Sequence, residues 1–67
     1  MSVAKVEELS ATSEKSFDDA IMIGIKRANK TLRNVTSAWV KEQHVRVGAK
    51  GKFRYQVNMA VTFVLDE

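Results

Sequence analysis

Residues 53 to 65 alternate with a period of two. Phe53, Tyr55, Val57, Met59, Val61, Phe63 and Leu65 are apolar at odd positions, while Arg54, Gln56, Asn58 and Thr62 are polar at even ones. That pattern predicts a strand with one face on a core and the other in water. Residues 35–47 predict the preceding strand, and Gly48-Ala49-Lys50-Gly51 the turn between the two. Earlier in the chain the period changes. Phe17, Ile21, Gly24, Ile25, Ala28 and Leu32 recur at helical spacing and form one apolar stripe, predicting a helix over 17–33. Ser16 suits its N-cap, with Asp19 as capping-box partner, and Asn34 suits the left-handed position that ends helices. Val3 to Leu9 predicts a first strand, placed beside the C-terminal one. The order strand, helix, strand, strand gives an α+β fold: a β-α-β-β chain with a three-stranded antiparallel sheet partly wrapped around one helix. Residues 1–67 read as a single domain.

Element lengths then matter. A strand from 53 to 65 spans ~43 Å, and a helix from 17 to 33 spans ~25 Å. The helix therefore covers little more than half of the hairpin. A turn symmetric about Ala49 and Lys50 pairs Val40 with Met59 and Ala38 with Val61 under the helix, and Trp39 with Ala60 on the other face. Nearer the tip, the same register puts Glu42 against Val57, His44 against Tyr55 and Arg46 against Phe53 on the helix side. Gln43 falls opposite Gln56, and Val45 and Val47 stand on the far face. A protruding hairpin that is apolar on both faces invites association, so copies of the chain are expected to cover it.

Composition narrows the function. A chain of 67 residues buries only ~60% of its unfolded surface, so its stability needs support. The sequence has no cysteine, which removes disulfides, zinc-thiolate sites and thiol nucleophiles. Oligomerisation is the remaining support. No long apolar run suggests a membrane span or a secretory segment, and the expectation is a soluble cytoplasmic protein. Part of the +3 net charge belongs to the helix, with Asp18 and Asp19 at its start and Lys26, Arg27, Lys30 and Arg33 at its end, as the macrodipole favours. The remaining excess, Lys41, Arg46, Lys50, Lys52 and Arg54 against Glu42, sits in the hairpin. It suits one or two phosphates better than a long polyanion. His44 has no second histidine or cysteine for a metal, and Ser13 and Ser16 read as capping residues. No catalytic or metal site is expected.

Trp39 is the only tryptophan, and the register places it on the polar face of the sheet. A large flat ring there is suited to stacking on a planar ligand. The Gln56 amide, a donor and an acceptor, matches a uracil-like ring edge, and Ala60 beside the indole leaves room. Within one chain Gln56 lies ~13 Å from Trp39, so the two meet on one small ring only across a two-fold axis. Arg46, near the tip, is placed to meet a phosphate. Each residue also has a plainer reading: the indole as interface packing, and Gln56, Arg46 and Lys41 as solvated surface. A small single-stranded nucleic-acid-binding module using the Trp39 and Arg46 face is the alternative from another class.

Four segments, Asn34 to Val47, Tyr55 to Asp66, Ser16 to Ile21 and Ala28 to Asn34, resemble the dodecins, small flavin-binding proteins. The resemblance runs over nearly the whole chain without gaps. It implies twelve subunits closed into a hollow sphere, with flavins held in stacked pairs between tryptophans at two-fold axes. Carried over, Trp39 stacks on the ring and Gln56 hydrogen-bonds the isoalloxazine edge. Arg46 matches the position that in bacterial members approaches the phosphate-bearing tail, which favours FMN over riboflavin. Val45 and Lys41 complete the implied cofactor-binding set. Some bacterial members also hold coenzyme A near three-fold axes, but no motif here assigns its contacts. The implied function is flavin storage and sequestration by a homododecamer whose indoles quench flavin photochemistry. No enzymatic role, nucleic-acid partner or membrane partner is expected.

Overall fold

The computed structural model describes residues 2–66. Strand β1 (Ala4–Ser13) leads into helix α1 (Phe17–Thr31), then strand β2 (Val35–Val47), a 3-10 turn (Ala49–Gly51) and strand β3 (Phe53–Val64). The sheet is antiparallel throughout in the order β1-β3-β2. The β-α-β-β order and the pairing of first and last strands are as the sequence predicts. β1 is longer than the Val3–Leu9 run suggested, because Ser10 to Ser13 go on pairing with Asn58 to Tyr55. Alternation fades there, but β3 supplies partners.

The helix ends rest on short side chains. Ser16 Oγ accepts the Asp19 amide N–H at 3.0 Å and so caps the N-terminus. The reciprocal half of the expected capping box does not form. The Asp19 carboxylate instead accepts the hydroxyl of buried Ser13 at 2.6 Å, tying the helix to the end of β1. At the other end Leu32 is the C-cap, its N–H reaching the Ala28 carbonyl at 2.8 Å. Asn34 takes the left-handed conformation, φ 62°, and its amide donates to the Val64 carbonyl and the Asp66 carboxylate.

Packing follows from the short connection over residues 14–16. With three residues between β1 and α1, the helix folds back over β1 and β3 and hardly touches β2. Small residues, Ala20, Gly24 and Ala28, are buried along its contact line. A Cβ on Gly24 would lie 3.0 Å from Met59 Sδ and 3.1 Å from Leu9 Cδ1, so glycine sets the close approach. The core below consists of Ala11, Val57 and Met59, with Leu9, Phe17, Ile21, Ile25 and Ala38 packed around it. Phe17 meets Tyr55 edge-on at 5.1 Å. The uncovered region is therefore larger than the tip alone. Val40, Val45, Val47 and Phe53 are all exposed, Val47 at 76%, in a molecule 52 Å long and 13 Å thick.

Two register shifts in β2 change which side chains share a face. Trp39 opposes Ala60, Ala38 opposes Val61 and Val40 opposes Met59, as the symmetric turn predicts. Between Val40 and Glu42 one extra residue, Lys41, enters the strand. Beyond it Glu42 opposes Asn58, Gln43 opposes Val57, His44 opposes Gln56, Val45 opposes Tyr55, Arg46 opposes Arg54 and Val47 opposes Phe53. Because side chains alternate with a period of two, one inserted residue moves every later side chain to the other face. The expected pairs Glu42–Val57, His44–Tyr55, Arg46–Phe53 and Gln43–Gln56 are thus corrected. Glu42, His44 and Arg46 join Trp39 on the outer face. Val45 and Val47 turn to the helix side with Tyr55 and Phe53, so the hairpin tip is apolar on one face rather than two.

Candidate functional site

The outer face of the sheet is built in rows across three strands. Glu8, Ala60 and Trp39 form one row, Ser10, Asn58 and Glu42 the next, Thr12, Gln56 and His44 a third, and Arg54 with Arg46 the last before the turn. The indole of Trp39 is 49% exposed, a large apolar area for a position surrounded by polar side chains. Ala60, although it faces outward, is only 1% exposed. Trp39 stands on one side of it and Glu8 on the other, and Lys41 Nζ reaches Glu8 Oε1 at 2.7 Å. The expected gap at Ala60 is therefore filled. A planar ligand has the indole face to lie on, with the ion pair as a neighbouring polar wall. The hydrogen bond that Lys41 donates to Glu8, and then the Coulombic attraction of that carboxylate, hold the Lys41 ammonium above the usual lysine pKa.

A hydrogen-bonded chain runs along the next rows. Glu42 Oε1 accepts from Asn58 Nδ2 at 3.1 Å, and Asn58 Oδ1 accepts from Gln56 Nε2 at 3.2 Å. Gln56 Nε2 also donates to Ser10 Oγ at 3.0 Å, and Gln56 Oε1 accepts from Arg46 Nε at 3.1 Å. The bulge makes this possible, since without it Glu42 and Arg46 would face the helix side.

The turn end is strongly basic. Arg46 and Arg54 are direct cross-strand partners, an arrangement that repels unless an anion intervenes. Together with Lys50 and Lys52 they line an open groove of about 540 Å³ around the turn, which Val47 and Phe53 of the other face also line and in which Glu14 is the one carboxylate. Lys50 holds a left-handed conformation, φ 61°, in the turn.

Of the residues singled out from sequence, Gln56 and Arg46 are in direct contact, and Trp39 and Lys41 flank the Ala60 position. Trp39 and Gln56 stay four β3 residues apart, ~13 Å along the strand. Val45 lies on the opposite face from Trp39 in the same chain. Sequence reasoning passed over Glu8, Ser10, Glu42, Asn58 and Arg54 as parts of the face. One signal bears on them: Ala38 and Val40 are apolar at even positions of β2, Val45 and Val47 at odd ones, and such a switch of parity fits a bulge as well as a two-faced strand. Among the described residues no three His, Cys, Asp or Glu side chains come together as a metal site, and no helix is long and apolar enough to cross a membrane.

Comparison with known proteins gives a single family. The Dodecin family model matches residues 3–66. A dodecin of Thermus thermophilus is 42% identical over 65 residues, covering 97% of this chain and 94% of that protein. A crystal structure of an arginine-to-alanine mutant of the T. thermophilus dodecin superposes with a TM-score of 0.93 at 40% identity, covering 100% of this chain and 98% of the other. A protein of Mycobacterium tuberculosis named calcium dodecin is 33% identical over 63 residues, covering 94% of this chain and 89% of that protein.

Proposed function

The chain belongs to the dodecin family, and on that premise we propose that it is a flavin-binding storage and sequestration protein favouring FMN, and not an enzyme. One observation carries the proposal: an indole half exposed on a polar sheet face, where burial in the monomer gains it little. Contact with a flat heterocycle would remove that apolar area from water and add stacking. Trp39, Gln56 and Arg46 are spread over more of one sheet face than a single ring spans, so the complete site takes residues from two copies across a two-fold axis. The uncovered apolar side of β2 gives the chain reason to associate, and the assembly proposed is the closed dodecamer, in the cytoplasm. Trp39 stacks, Gln56 meets the ring edge, and Arg46 with Arg54 takes the phosphate. An indole donates electrons readily, so a flavin in contact with it loses its excited state before photochemistry begins.

The residues fit a flavin better than a calcium ion. Ca²⁺ takes six to eight oxygens, and no acidic cluster is present among the described residues. Coenzyme A is a competitor for the same basic groove, since its phosphates carry the charge that Arg54, Lys50 and Lys52 attract. The test is the purified protein itself, followed by fluorescence titration with FMN and with riboflavin. A yellow preparation that quenches both ligands, FMN at lower concentration, is expected. Colourless protein with absorbance near 260 nm and no quenching would favour the nucleic-acid alternative and reject this reading.

A further inference from the structure

We propose that Glu42, Asn58 and Ser10 lock the orientation of the Gln56 amide, so that Gln56 meets a ligand only as a hydrogen-bond acceptor. The proposal deepens the flavin reading and rests on it. Both ends of the chain of side chains have a fixed polarity. The Glu42 carboxylate can only accept, so Asn58 must turn Nδ2 toward it and Oδ1 toward Gln56. The Arg46 guanidinium can only donate, so Gln56 must turn Oε1 toward it. These two constraints agree: anion, amide, amide and cation align in one direction. A reversed Gln56 would put its N–H groups against Arg46 and its oxygen against the Asn58 oxygen. The orientation follows from the ends of the chain and not from the placing of any hydrogen.

The free valence left on Gln56 follows by counting. Its Nε2 carries two hydrogens, and Ser10 Oγ and Asn58 Oδ1 accept them both. Its Oε1 carries two lone pairs, and Arg46 Nε uses one. One acceptor position remains, and no donor. The ligand edge that suits it carries an N–H between two carbonyls, as the pyrimidine edge of an isoalloxazine does. Glu42, Asn58 and Ser10 touch no ligand in this scheme and act through Gln56 as positioning residues.

A carboxylate in place of the amide separates this from a two-way amide contact, because it accepts equally through either oxygen. Riboflavin, which has no phosphate to involve Arg54, is titrated by fluorescence quenching against wild type, Gln56→Glu, Gln56→Met, Asn58→Ala, and the double variant Gln56→Glu/Asn58→Ala. Gln56→Glu should bind riboflavin within about 3-fold of wild type, and Gln56→Met should lose roughly 3- to 10-fold, the worth of one neutral hydrogen bond. Asn58→Ala should weaken binding several-fold when Gln56 is present and not when Glu replaces it, since a carboxylate has no orientation to lose. A merely structural role for Asn58 predicts the same loss in both backgrounds and overturns the proposal. Glu42→Ala, at an exposed position, repeats the comparison should Asn58→Ala fail to fold. If Gln56→Glu loses as much as Gln56→Met, Gln56 donates to the ligand and the inference fails while the flavin reading stands. A wild type that binds no riboflavin removes the flavin reading itself.

Discussion

Replacing Arg54 with alanine separates the phosphate from the ring. Sequence alone directed attention to Arg46 for the phosphate, but in the structure its Nε donates to Gln56 Oε1 at 3.1 Å, so it touches the proposed ring-binding residue as well. Arg46→Ala should therefore weaken riboflavin as well as FMN. Arg54 stands directly across the strand pair, lines the basic groove and makes no side-chain hydrogen bond to Gln56. A phosphomonoester carries about −1.5 to −2 charges at neutral pH. Two unit charges 4 Å apart in water interact by about 1 kcal/mol, so Arg54→Ala should cost FMN about 1.5–2 kcal/mol at low salt, or roughly 10- to 30-fold in Kd. Screening over ~10 Å at 0.1 M salt should shrink that ratio. Riboflavin should stay within about 2-fold at every salt concentration, because without a phosphate only exposed charges remain and these contribute little. The free protein should gain slightly in stability, since like charges directly opposed across a strand pair are destabilising. The assay is quenching titration of both ligands at two salt concentrations on wild type, Arg54→Ala and Arg46→Ala, with thermal melts of the free proteins. Parallel losses of FMN and riboflavin in Arg54→Ala, or an FMN ratio indifferent to salt, would refute the phosphate role.

Trp39→Ala should remove most flavin binding and leave assembly intact; stacking contributes about 1–3 kcal/mol per base in nucleic-acid systems, and because one substitution removes the indole from both ends of a stacked flavin pair, the loss by titration should reach at least the upper value. Light scattering at low micromolar concentration should give a mass of about twelve 7.5 kDa chains, and a stable monomer there would contradict the role given to the bare β2 face. Gly24→Leu should destabilise the fold by about 1–3 kcal/mol or more through overpacking, read as a lowered denaturation midpoint, because even a Cβ there meets Met59 and Leu9 at 3.0–3.1 Å. The Lys41–Glu8 pair should act only while the ammonium is charged: its contribution is complete below the unfolded lysine value of 10.5 and fades as pH rises through the raised folded value. NMR titration should show Lys41 returning toward that ordinary value in Glu8→Gln, and no change would mean the pair is absent in solution.

The sequence by itself determined the elements and their order. Helical spacing from Phe17 to Leu32 and alternation from Phe53 to Leu65 are local consequences of the 3.6 and 2.0 residue periods, and they needed no partner to be legible. Ser16 as cap was readable for the same reason, since its side chain accepts from backbone three residues on. Asn34 as the left-handed residue was readable because asparagine tolerates a positive φ, although its amide partners, Val64 and Asp66, were not. Trp39 stood out because an indole on a polar face is anomalous whatever surrounds it. The faces beyond Lys41 were decided only by tertiary structure. The switch from Ala38 and Val40 to Val45 and Val47 fits either a two-faced strand or a bulged one, and pairing with β3 chose the bulge. That one residue brought Glu42 and Arg46 to the side of Gln56 and made the oriented chain of hydrogen bonds. The partner of Asp19 was likewise beyond sequence, because Ser13 reaches it only when β1 runs on as far as Ser13 against β3. Local periods fix which residues form an element, whereas register and long-range partners depend on which strand lies alongside, and one inserted residue reverses every side chain after it.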